Sequence, residues 1–278
     1  MISWIRLAVL SLACLVVACA PYGLARPNEK IVRNVEFATP GGQSLRLDIY
    51  LPKSNKPVPV VMWIFGGSWK FGSKGYHVNL RDLTRSGIAV ASIDYRLSGT
   101  AVYPAQLEDC KSALAWLRAH GAEYGIDPTR IGVSGESAGG HLAALLGTLE
   151  GKSKIKAVCA LYPPTNLVSL GRKYKNPDRW SDIERLLGGP IETKLALARE
   201  ASPVNRVSAD APPFLIIHGA QDTLVPIGQS HELDRDLRRV GVESRIIVVP
   251  DKGHWFQLDE TQLKAVAEFF QRHFATEE

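Results

Sequence analysis

RIGVSGESAGGHLAALL, residues 130–146, places a G-x-S-x-G motif between a strand-like segment and a helix-like segment. The residues before the motif favour a short buried strand of a parallel sheet, and the apolar residues after it favour a helix. A sharp strand-to-helix turn would hold Ser137 in a strained conformation with its hydroxyl group exposed. The flanking glycines, Gly135 and Gly139, would let the chain turn there without a clash of Cβ atoms. The motif therefore predicts a nucleophilic Ser137, provided that the chain supplies a base and an acid.

The two groups that a nucleophilic serine needs follow later in the chain, each directly after a predicted strand. Phe214–Gly219 is an apolar strand, and Asp222 lies in the loop beyond it. Ser244–Pro250 is a β-branched strand, and His254 lies in the loop that follows. Such loops gather at the edge of an open α/β sheet where active sites lie. The order Ser, Asp, His therefore predicts that His254 removes the proton of Ser137 and that Asp222 orients the imidazole.

Each of these residues could also have a structural role without taking part in catalysis. Asp222 has the character of a turn residue or of a helix N-cap, and His254 that of a loop histidine. Asp251 is the leading alternative acid, although it lies close to His254 in the chain. We expect His218 to be buried near the acid loop and His141 to pack within its helix. Four further histidines have no position at a strand end: His77, His120, His231 and His273.

A tetrahedral intermediate needs hydrogen-bond donors where its negative charge develops. The backbone N–H of Ala138 is one natural donor, because it begins the helix after the nucleophile. The strand pattern Pro59–Phe65 is followed by Gly66–Trp69, whose two glycines allow a close approach of backbone to substrate. We therefore expect the amides of Gly67 and Ser68 to complete an oxyanion hole. The alternative is a glycine turn without a catalytic role.

Several motifs in this order resemble those of α/β-hydrolase esterases and lipases that carry an H-G-G oxyanion motif. Within that group, the chain is most similar to the small carbohydrate-acyl esterases described as feruloyl-esterase-like. The resemblance extends from about Val35 to Phe270. The chain departs from the family at Phe65, where a histidine usually braces the oxyanion loop. The resemblance rests on Gly66–Trp69, Asp94–Leu97, Asp127–Ile131, Gly135–His141, Asp222 and His254.

The resemblance implies an α/β-hydrolase fold with a mostly parallel central sheet, helices on both faces and a small cap insertion. The alternation of strand-like and helix-like segments independently favours such a sheet. The family further implies a serine carboxylic-ester hydrolase that forms an acyl-enzyme from short acyl or aryl esters, with carbohydrate esters as one class. That mechanism requires no metal and no organic cofactor. Two alternatives stay open: a small serine peptidase of the same fold, and a non-catalytic binding protein of the cell envelope.

Residues 1–20 have the pattern of an export signal. Arg6 gives a positive start, and the apolar core of residues 7–18 is too short for a comfortable transmembrane span. The segment Val16–Cys19 resembles a bacterial lipobox, which makes Cys19 a candidate for lipidation. Acyl chains on Cys19 would attach the protein to a membrane and leave the folded domain in water. Ordinary signal cleavage is the alternative, and it would give a soluble periplasmic or secreted protein.

The remaining chain is long enough for one large domain. We expect residues 21–30 to be a tether and residues 31–278 to form a single domain, with a cap at about 163–212.

Cys110 falls in a predicted helix and Cys159 in a predicted strand. We expect two buried free thiols there, because a packed helix and strand need not align for a disulfide bond. The cysteines have no zinc-like spacing.

The formal charge of +5 is modest and does not indicate a nucleic-acid-binding protein. We expect a small-molecule ester as the partner, and the sequence leaves the oligomeric state open. Basic residues concentrate between residues 151 and 185, where eight of them accompany three acidic residues. One interpretation is a solvated surface; the other is attraction of anionic substrates or lipid headgroups.

Overall fold

Eight strands form the central sheet of the computed structural model, which describes residues 26–76, 78–174 and 181–275. The strands are β1 Glu29–Ala38, β2 Leu45–Pro52, β3 Val58–Ile64, β4 Ala89–Ile93, β5 Ile126–Glu136, β6 Val158–Leu161, β7 Phe214–Gly219 and β8 Ser244–Val249. Their order across the sheet is β1-β2-β4-β3-β5-β6-β7-β8. The pairs β1–β2 and β2–β4 are antiparallel, and every other neighbouring pair is parallel.

Helices cover both faces of this sheet. In the described ranges the α-helices are α1 Ala105–His120, α2 Ala138–Glu150, α3 Leu167–Lys173, α4 Asp182–Leu187, α5 Leu195–Glu200, α6 Gly228–Arg239 and α7 Glu260–Phe274. Short 3-10 helices occupy Pro40–Gly42, Arg81–Ser86, Gly121–Tyr124, Ile191–Thr193 and Pro203–Asn205. Side chains of α1, α2 and α6 pack into one half of the core, whereas α7 and the 3-10 helix Arg81–Ser86 pack into the other half. This is the α/β-hydrolase architecture that the sequence predicted.

The central strand β3 shows why the sheet needs helices on both sides. Its side chains alternate between the two halves of the core, because successive residues of a strand point to opposite faces. Val60, Met62 and Ile64 pack with α1 and α2, whereas Val61 and Trp63 pack with α7. All five are fully buried. A near-continuous apolar run of this kind is typical of parallel strands covered on both faces.

The predicted elements agree with the structure in position and differ mainly in length. The helix predicted at Ala105–His120 has those bounds, and the strand predicted at Phe214–Gly219 does too. The strand before Ser137 is longer than the predicted residues 130–134, since β5 extends over Ile126–Glu136. Cys110 and Cys159 are buried free thiols, as expected.

The N-terminal predictions fall largely on residues that the structure does not describe. The export signal at residues 1–20, including Cys19, lies outside the described residues. The first strand begins at Glu29, inside the range 21–30 that was predicted as a tether. Arg81 forms an ion pair with the Glu29 carboxylate, and the backbone N–H of Arg26 also donates to it. These contacts hold the start of β1 against the 3-10 helix Arg81–Ser86. No helix in the described part of the chain is long and apolar enough to span a membrane.

The chain between β6 and β7 interrupts the strand–helix alternation with three short helices, α3, α4 and α5. Two of them begin at capping residues that satisfy the free N–H groups of the first turn. Asn166 accepts from the Ser169 amide at the start of α3, and Ser181 forms a capping box with Glu184 at the start of α4. Residues 175–180 of this segment lie outside the described residues. We call residues 162–213 the β6–β7 segment below; it includes the range where the sequence predicts a cap.

Backbone segments of β3, β5 and α2 approach one another closely at the glycines of the G-x-S-x-G motif. A Cβ atom on Gly139 would lie 2.1 Å from the carbonyl oxygen of Ile64 and 2.4 Å from that of Phe65. A Cβ atom on Gly135 would lie 2.4 Å from the carbonyl oxygen of Gly139. Only glycine fits at these two positions, because any Cβ atom there would collide with backbone atoms of neighbouring elements.

We expect Gly139→Ala to lower the free energy of unfolding by about 3 kcal/mol or to prevent folding, because overpacking against backbone forces the elements apart. The matched control is Gly228→Ala at the start of α6, where a new Cβ meets nothing within 4 Å. This control should change the free energy of unfolding by no more than about 0.5 kcal/mol. Denaturant unfolding of the purified variants measures both changes, and equal stabilities would contradict the packing argument.

Candidate active site

Ser137 lies at the turn between the last residue of β5, Glu136, and the first residue of α2, Ala138. Its backbone angles are φ 51° and ψ −117°, a conformation that residues other than glycine rarely adopt. Such a conformation costs about 1–3 kcal/mol and persists only where the surroundings enforce it. The Ser137 N–H donates to the Leu161 carbonyl at 2.9 Å, and the Ser137 carbonyl accepts from the His141 N–H at 2.8 Å. The turn therefore has the strained geometry that the motif predicts.

Ser137, His254 and Asp222 form one continuous hydrogen-bonded chain. The distance from Ser137 Oγ to His254 Nε2 is 2.8 Å, and that from His254 Nδ1 to Asp222 Oδ2 is 2.7 Å. A carboxylate accepts hydrogen bonds, so His254 carries its proton on Nδ1 and donates it to Asp222. Nε2 is then free to accept the hydroxyl proton of Ser137. The structure thus brings together the three residues that the sequence selected, in the geometry of a nucleophile, a base and an orienting acid.

The two oxygens of Asp222 have different tasks. Oδ1 accepts the backbone N–H groups of Leu224 at 2.9 Å and Val225 at 2.8 Å, which is the turn-capping role considered as an alternative. Oδ2 accepts from His254 and also from His218 Nε2 at 3.1 Å. Burial would raise the pKa of the Asp222 carboxyl, but the hydrogen bonds from His218, His254 and Val225 outweigh it and hold the pKa well below its usual value. Asp222 is therefore ionised, and its turn role and its role toward His254 coexist.

His218 is a second histidine at the acid; the sequence predicted its burial near the acid loop but not its hydrogen bond to Asp222. It is fully buried at the end of β7. Its Nε2 lies within hydrogen-bond distance of both Asp222 and the Val225 carbonyl, the latter at 2.8 Å, and its Nδ1 lies 2.6 Å from Ser230 Oγ. The sequence signal for this contact is the short spacing of four residues between His218 and Asp222. Asp251, the alternative acid, has no hydrogen bond to His254 in the described chain.

The loop Gly66–Trp69 brings backbone amides to the nucleophile. Gly67, Ser68 and Trp69 have φ angles of 112°, 52° and 58°, so the loop is a tight turn in the left-handed region. A Cβ atom on Gly66 would lie 3.4 Å from the Cβ of Ser137, which shows how near the loop passes. In the described part of the chain, the N–H groups of Gly67, Ser68 and Ala138 have no hydrogen-bond acceptor. Unpaired backbone donors in a loop beside the nucleophile and at the start of α2 suit a developing oxyanion.

A tryptophan and a histidine brace this loop in place of the family's usual histidine. Trp69 Nε1 donates to His141 Nδ1 at 3.1 Å, and His141 Nε2 donates to the Ala201 carbonyl at 2.7 Å. Burial lowers the pKa of His141 to about 4, so the imidazole is neutral in this position. Phe65 is buried and stacks on the Tyr95 ring with centroids 4.3 Å apart. The loop is thus held by Trp69 and His141, a pairing that the sequence did not indicate.

Glu136, the residue before the nucleophile, is a buried carboxyl group that the sequence did not single out. Its Oε2 accepts from the Tyr162 hydroxyl at 2.9 Å and from Asn79 Nδ2 at 2.6 Å, and the Gly66 N–H also donates to the carboxyl. Burial raises the pKa of Glu136 to about 7, although these hydrogen bonds oppose the rise. Near neutral pH the group therefore exists both as an acceptor and as a donor.

Two cavities meet at Ser137. The large cavity, of about 640 Å³, is lined by the oxyanion loop and by the β6–β7 segment, including Ser68, Ala138, Leu170 and Ile183. The small cavity, of about 310 Å³, lies on the other side of the hydroxyl group and has Glu136 in its wall. These volumes are in the range of ligand-binding clefts. The nucleophile is therefore accessible from two separate spaces.

Part of the basic character of the β6–β7 segment is already neutralised. Arg172 pairs with Glu192 at 3.1 Å, whereas the acidic Asp182 of the segment pairs at 2.6 Å with Lys70, which lies outside it. Arg185 is exposed and lines the large cavity. The basic residues Lys175 and Arg179 and the acidic residue Asp178 lie outside the described residues. In the described ranges, no three His, Cys, Asp or Glu side chains come together as a set of metal ligands.

Comparisons with known proteins place the chain in a family. The family model BD-FAE matches residues 47–237, a range that contains Ser137 and Asp222 and ends before His254. Esterase LipC of Mycobacterium tuberculosis is 34% identical over 232 residues, which are 76% of this chain and 57% of LipC. The chain thus matches little more than half the length of that relative.

Two solved structures are similar over most of their length. A truncated carbohydrate esterase from gut microbiota has a TM-score of 0.80 and 29% identity, covering 88% of this chain and 96% of that one. An acetyl ester-xyloside bifunctional hydrolase from Caldicellulosiruptor lactoaceticus has a TM-score of 0.72 and 26% identity, covering 85% and 90%. Together with the family match, these similarities show that this α/β-hydrolase chain belongs to the BD-FAE family.

Proposed function

We propose that this chain is a serine carboxylic-ester hydrolase that acts through an acyl-enzyme. The observation that carries the proposal is the hydrogen-bonded chain from Ser137 through His254 to Asp222, with links of 2.8 and 2.7 Å. Esterase relatives such as LipC support the same chemistry. The geometry assigns a role to each residue, and the reaction divides into two steps around the covalent intermediate.

In the acylation step, Ser137 Oγ attacks the ester carbonyl carbon while its proton moves to His254 Nε2. The ionised Asp222 stabilises the imidazolium that results, because its Oδ2 already accepts the Nδ1 proton. The carbonyl oxygen becomes an oxyanion, and the amides of Gly67, Ser68 and Ala138 donate to it. When the C–O bond to the alcohol breaks, His254 Nε2 returns the proton to the departing oxygen. The alcohol leaves, and the acyl group stays on Ser137.

The deacylation step repeats these transfers with water in the place of the serine hydroxyl. His254 Nε2 takes a proton from water as the water oxygen attacks the acyl carbonyl carbon. The same backbone amides stabilise the second oxyanion. Collapse of this intermediate breaks the bond to Ser137 Oγ, and His254 returns the proton to that oxygen. A carboxylic acid is released, and the hydrogen bond between Ser137 and His254 is restored.

Short acyl or aryl esters, including esters on carbohydrates, are the substrate class that we propose. The cavities of about 640 and 310 Å³ are in the size range of sites for small molecules. Two similar structures are described by their titles as a carbohydrate esterase and as an acetyl ester-xyloside bifunctional hydrolase. A small serine peptidase and a non-catalytic binding protein are the alternatives that the following experiments test.

Labelling with a fluorophosphonate probe should add one probe mass to the purified protein, and Ser137→Ala should abolish the adduct, because Ser137 is the activated hydroxyl. Ser134→Ala is the matched control, since Ser134 is buried in β5 and donates to the Cys159 carbonyl. Intact mass spectrometry measures the adduct, and p-nitrophenyl esters from acetyl to long chains measure turnover. We expect the highest turnover on short esters. A protein without adduct or turnover would favour the binding-protein alternative, and faster cleavage of peptides would favour the peptidase.

Asp222→Asn should lower kcat by about 10⁴-fold and leave the fold intact, because an amide favours the wrong tautomer of His254. The control is Asp251→Asn, which changes an exposed carboxylate in the loop of His254. This control should keep kcat within about twofold of the wild type. Steady-state kinetics on a short p-nitrophenyl ester measures both values. A severe loss in Asp251→Asn with a normal rate in Asp222→Asn would reverse the assignment of the acid.

We further propose that the protein is exported and attached to the cell envelope through a lipid on Cys19. The pattern of residues 1–20 supports this, with its positive start, apolar core and lipobox-like Val16–Cys19 segment. A lipid anchor would hold the enzyme at a membrane surface with its catalytic domain in water.

Full-length protein expressed in a bacterial host should incorporate a clickable palmitate analogue and should appear in the membrane fraction. Cys19→Ser should lose both properties, because the acylated thiol is gone, whereas Cys14→Ser within the apolar core should retain them. Labelling of fractions separated by centrifugation measures the effect. Label that persists in Cys19→Ser would exclude this anchor, and an unlabelled soluble wild-type protein would favour ordinary signal cleavage.

A further inference from the structure

The exposed apolar side chains around Ser137 are sorted by chemical type. In the described ranges, the exposed aromatic side chains are Phe71 (42% exposed), Tyr76 (42%) and Trp255 (71%). All three line the small cavity. Among the exposed aliphatic side chains, Val102 and Leu224 line the large cavity, whose wall also contains Trp69 and Tyr174. Large apolar groups left open to water in one place indicate a binding surface, and here two such surfaces flank one nucleophile.

The position of His254 decides which cavity receives the alcohol part of an ester. His254 Nε2 must deliver its proton to the departing alcohol oxygen, so the alcohol lies on the side of the imidazole. Tyr162 and Trp255 flank this imidazole, with ring centroids 5.0 and 5.6 Å from it, and both line the small cavity. Of the three proposed oxyanion donors, Ser68 and Ala138 line the large cavity and Gly67 lines the small cavity. The proton donor thus adjoins the small cavity.

The small cavity also has polar groups at its base. Asn79 and Glu136 lie in its wall, and Glu136 Oε2 accepts from Asn79 Nδ2 at 2.6 Å. Gln257 adds an exposed amide at the rim. A sugar ring needs this combination, because its C–H face is apolar and its edge carries hydroxyl groups. A simple alkyl chain would contact the aromatic rings but would form no hydrogen bond with these amide and carboxyl groups.

We propose that the small cavity binds the alcohol part of the ester as a sugar ring, which stacks on Trp255 and places its hydroxyl groups against Asn79 and Glu136. The large cavity then receives the acyl group. This assignment rests on the proposed esterase function. It divides substrate recognition between the small cavity, which selects the alcohol, and the large cavity, which selects the acid.

The test compares Trp255→Ala with wild type on an acetylated xylobiose and on ethyl acetate, which share the acetyl group. We expect Trp255→Ala to lower kcat/KM about five- to ten-fold more for the acetylated sugar than for ethyl acetate, because stacking on an aromatic ring is lost. Trp255→Phe should recover most of the loss. The defect should lie in acylation, measured by rapid-quench kinetics, because the sugar has left before deacylation begins.

Two further variants control for the position of the change. Leu224→Ala in the large cavity should alter the preference between acetyl and hexanoyl esters, and should do so equally for each alcohol. Leu149→Ala, which changes an exposed side chain at the end of α2 outside both cavities, should leave both preferences at the wild-type values. These variants separate a local effect in the small cavity from a general loss of an exposed apolar group.

The outcomes distinguish this inference from the proposed function. If Trp255→Ala changes the acyl preference and leaves the alcohol preference unchanged, the two cavities have the opposite roles. If it changes neither preference while ethyl acetate is still hydrolysed, the small cavity binds no part of the substrate. If wild-type protein neither hydrolyses ethyl acetate nor forms a probe adduct at Ser137, the esterase proposal itself fails.

Discussion

The close approach of three backbone segments at Gly135 and Gly139 is the constraint on which the site depends. The first turn of α2 packs against the ends of β3 and β5 so tightly that a Cβ atom on Gly139 would lie 2.1 Å from the Ile64 carbonyl oxygen. This packing forces Ser137 into its strained turn, with φ at 51°. The same contact brings the loop after β3 beside the nucleophile. One packing arrangement therefore exposes the hydroxyl group and supplies the backbone donors around it.

Asp222 links the stability of its loop to the chemistry at His254. Its Oδ1 is occupied by the amides of Leu224 and Val225, so the carboxylate cannot rotate away from the histidines. Its Oδ2 accepts from both His218 and His254. Donors on both oxygens keep the buried carboxylate ionised, and that charge favours the imidazolium when His254 takes a proton. His218 thereby acts as a positioning residue, since it touches the acid and not the nucleophile.

Site residues whose position follows from a local strand or turn pattern could be predicted from the sequence. Those whose role depends on contacts between distant segments could not. Ser137, Asp222 and His254 each follow a strand, so their shared edge was predictable from topology. The brace between Trp69 and His141 joins residues 72 positions apart, and neither side chain has a local pattern that announces it. Burial raises the pKa of Glu136, and the hydrogen bonds that oppose this rise come from Tyr162 and Asn79, which lie far from Glu136 in the sequence. The bounds of β5 also differ from the predicted residues 130–134, because its pairing with β3 continues beyond them.

Because an ester group is planar, the two cavities would receive different parts of the substrate. The acyl chain and the alcohol oxygen are attached to the carbonyl carbon in different directions. An ester bound at Ser137, with its carbonyl oxygen among the backbone amides, must therefore extend in two directions. His254 fixes one direction, because the departing oxygen must meet Nε2. Helices α3 and α4 of the β6–β7 segment contribute to the large cavity, whereas the loop after β3 and the residues that follow His254 contribute to the small cavity. The proposed selectivity for the acid and for the alcohol thus falls largely on different parts of the chain.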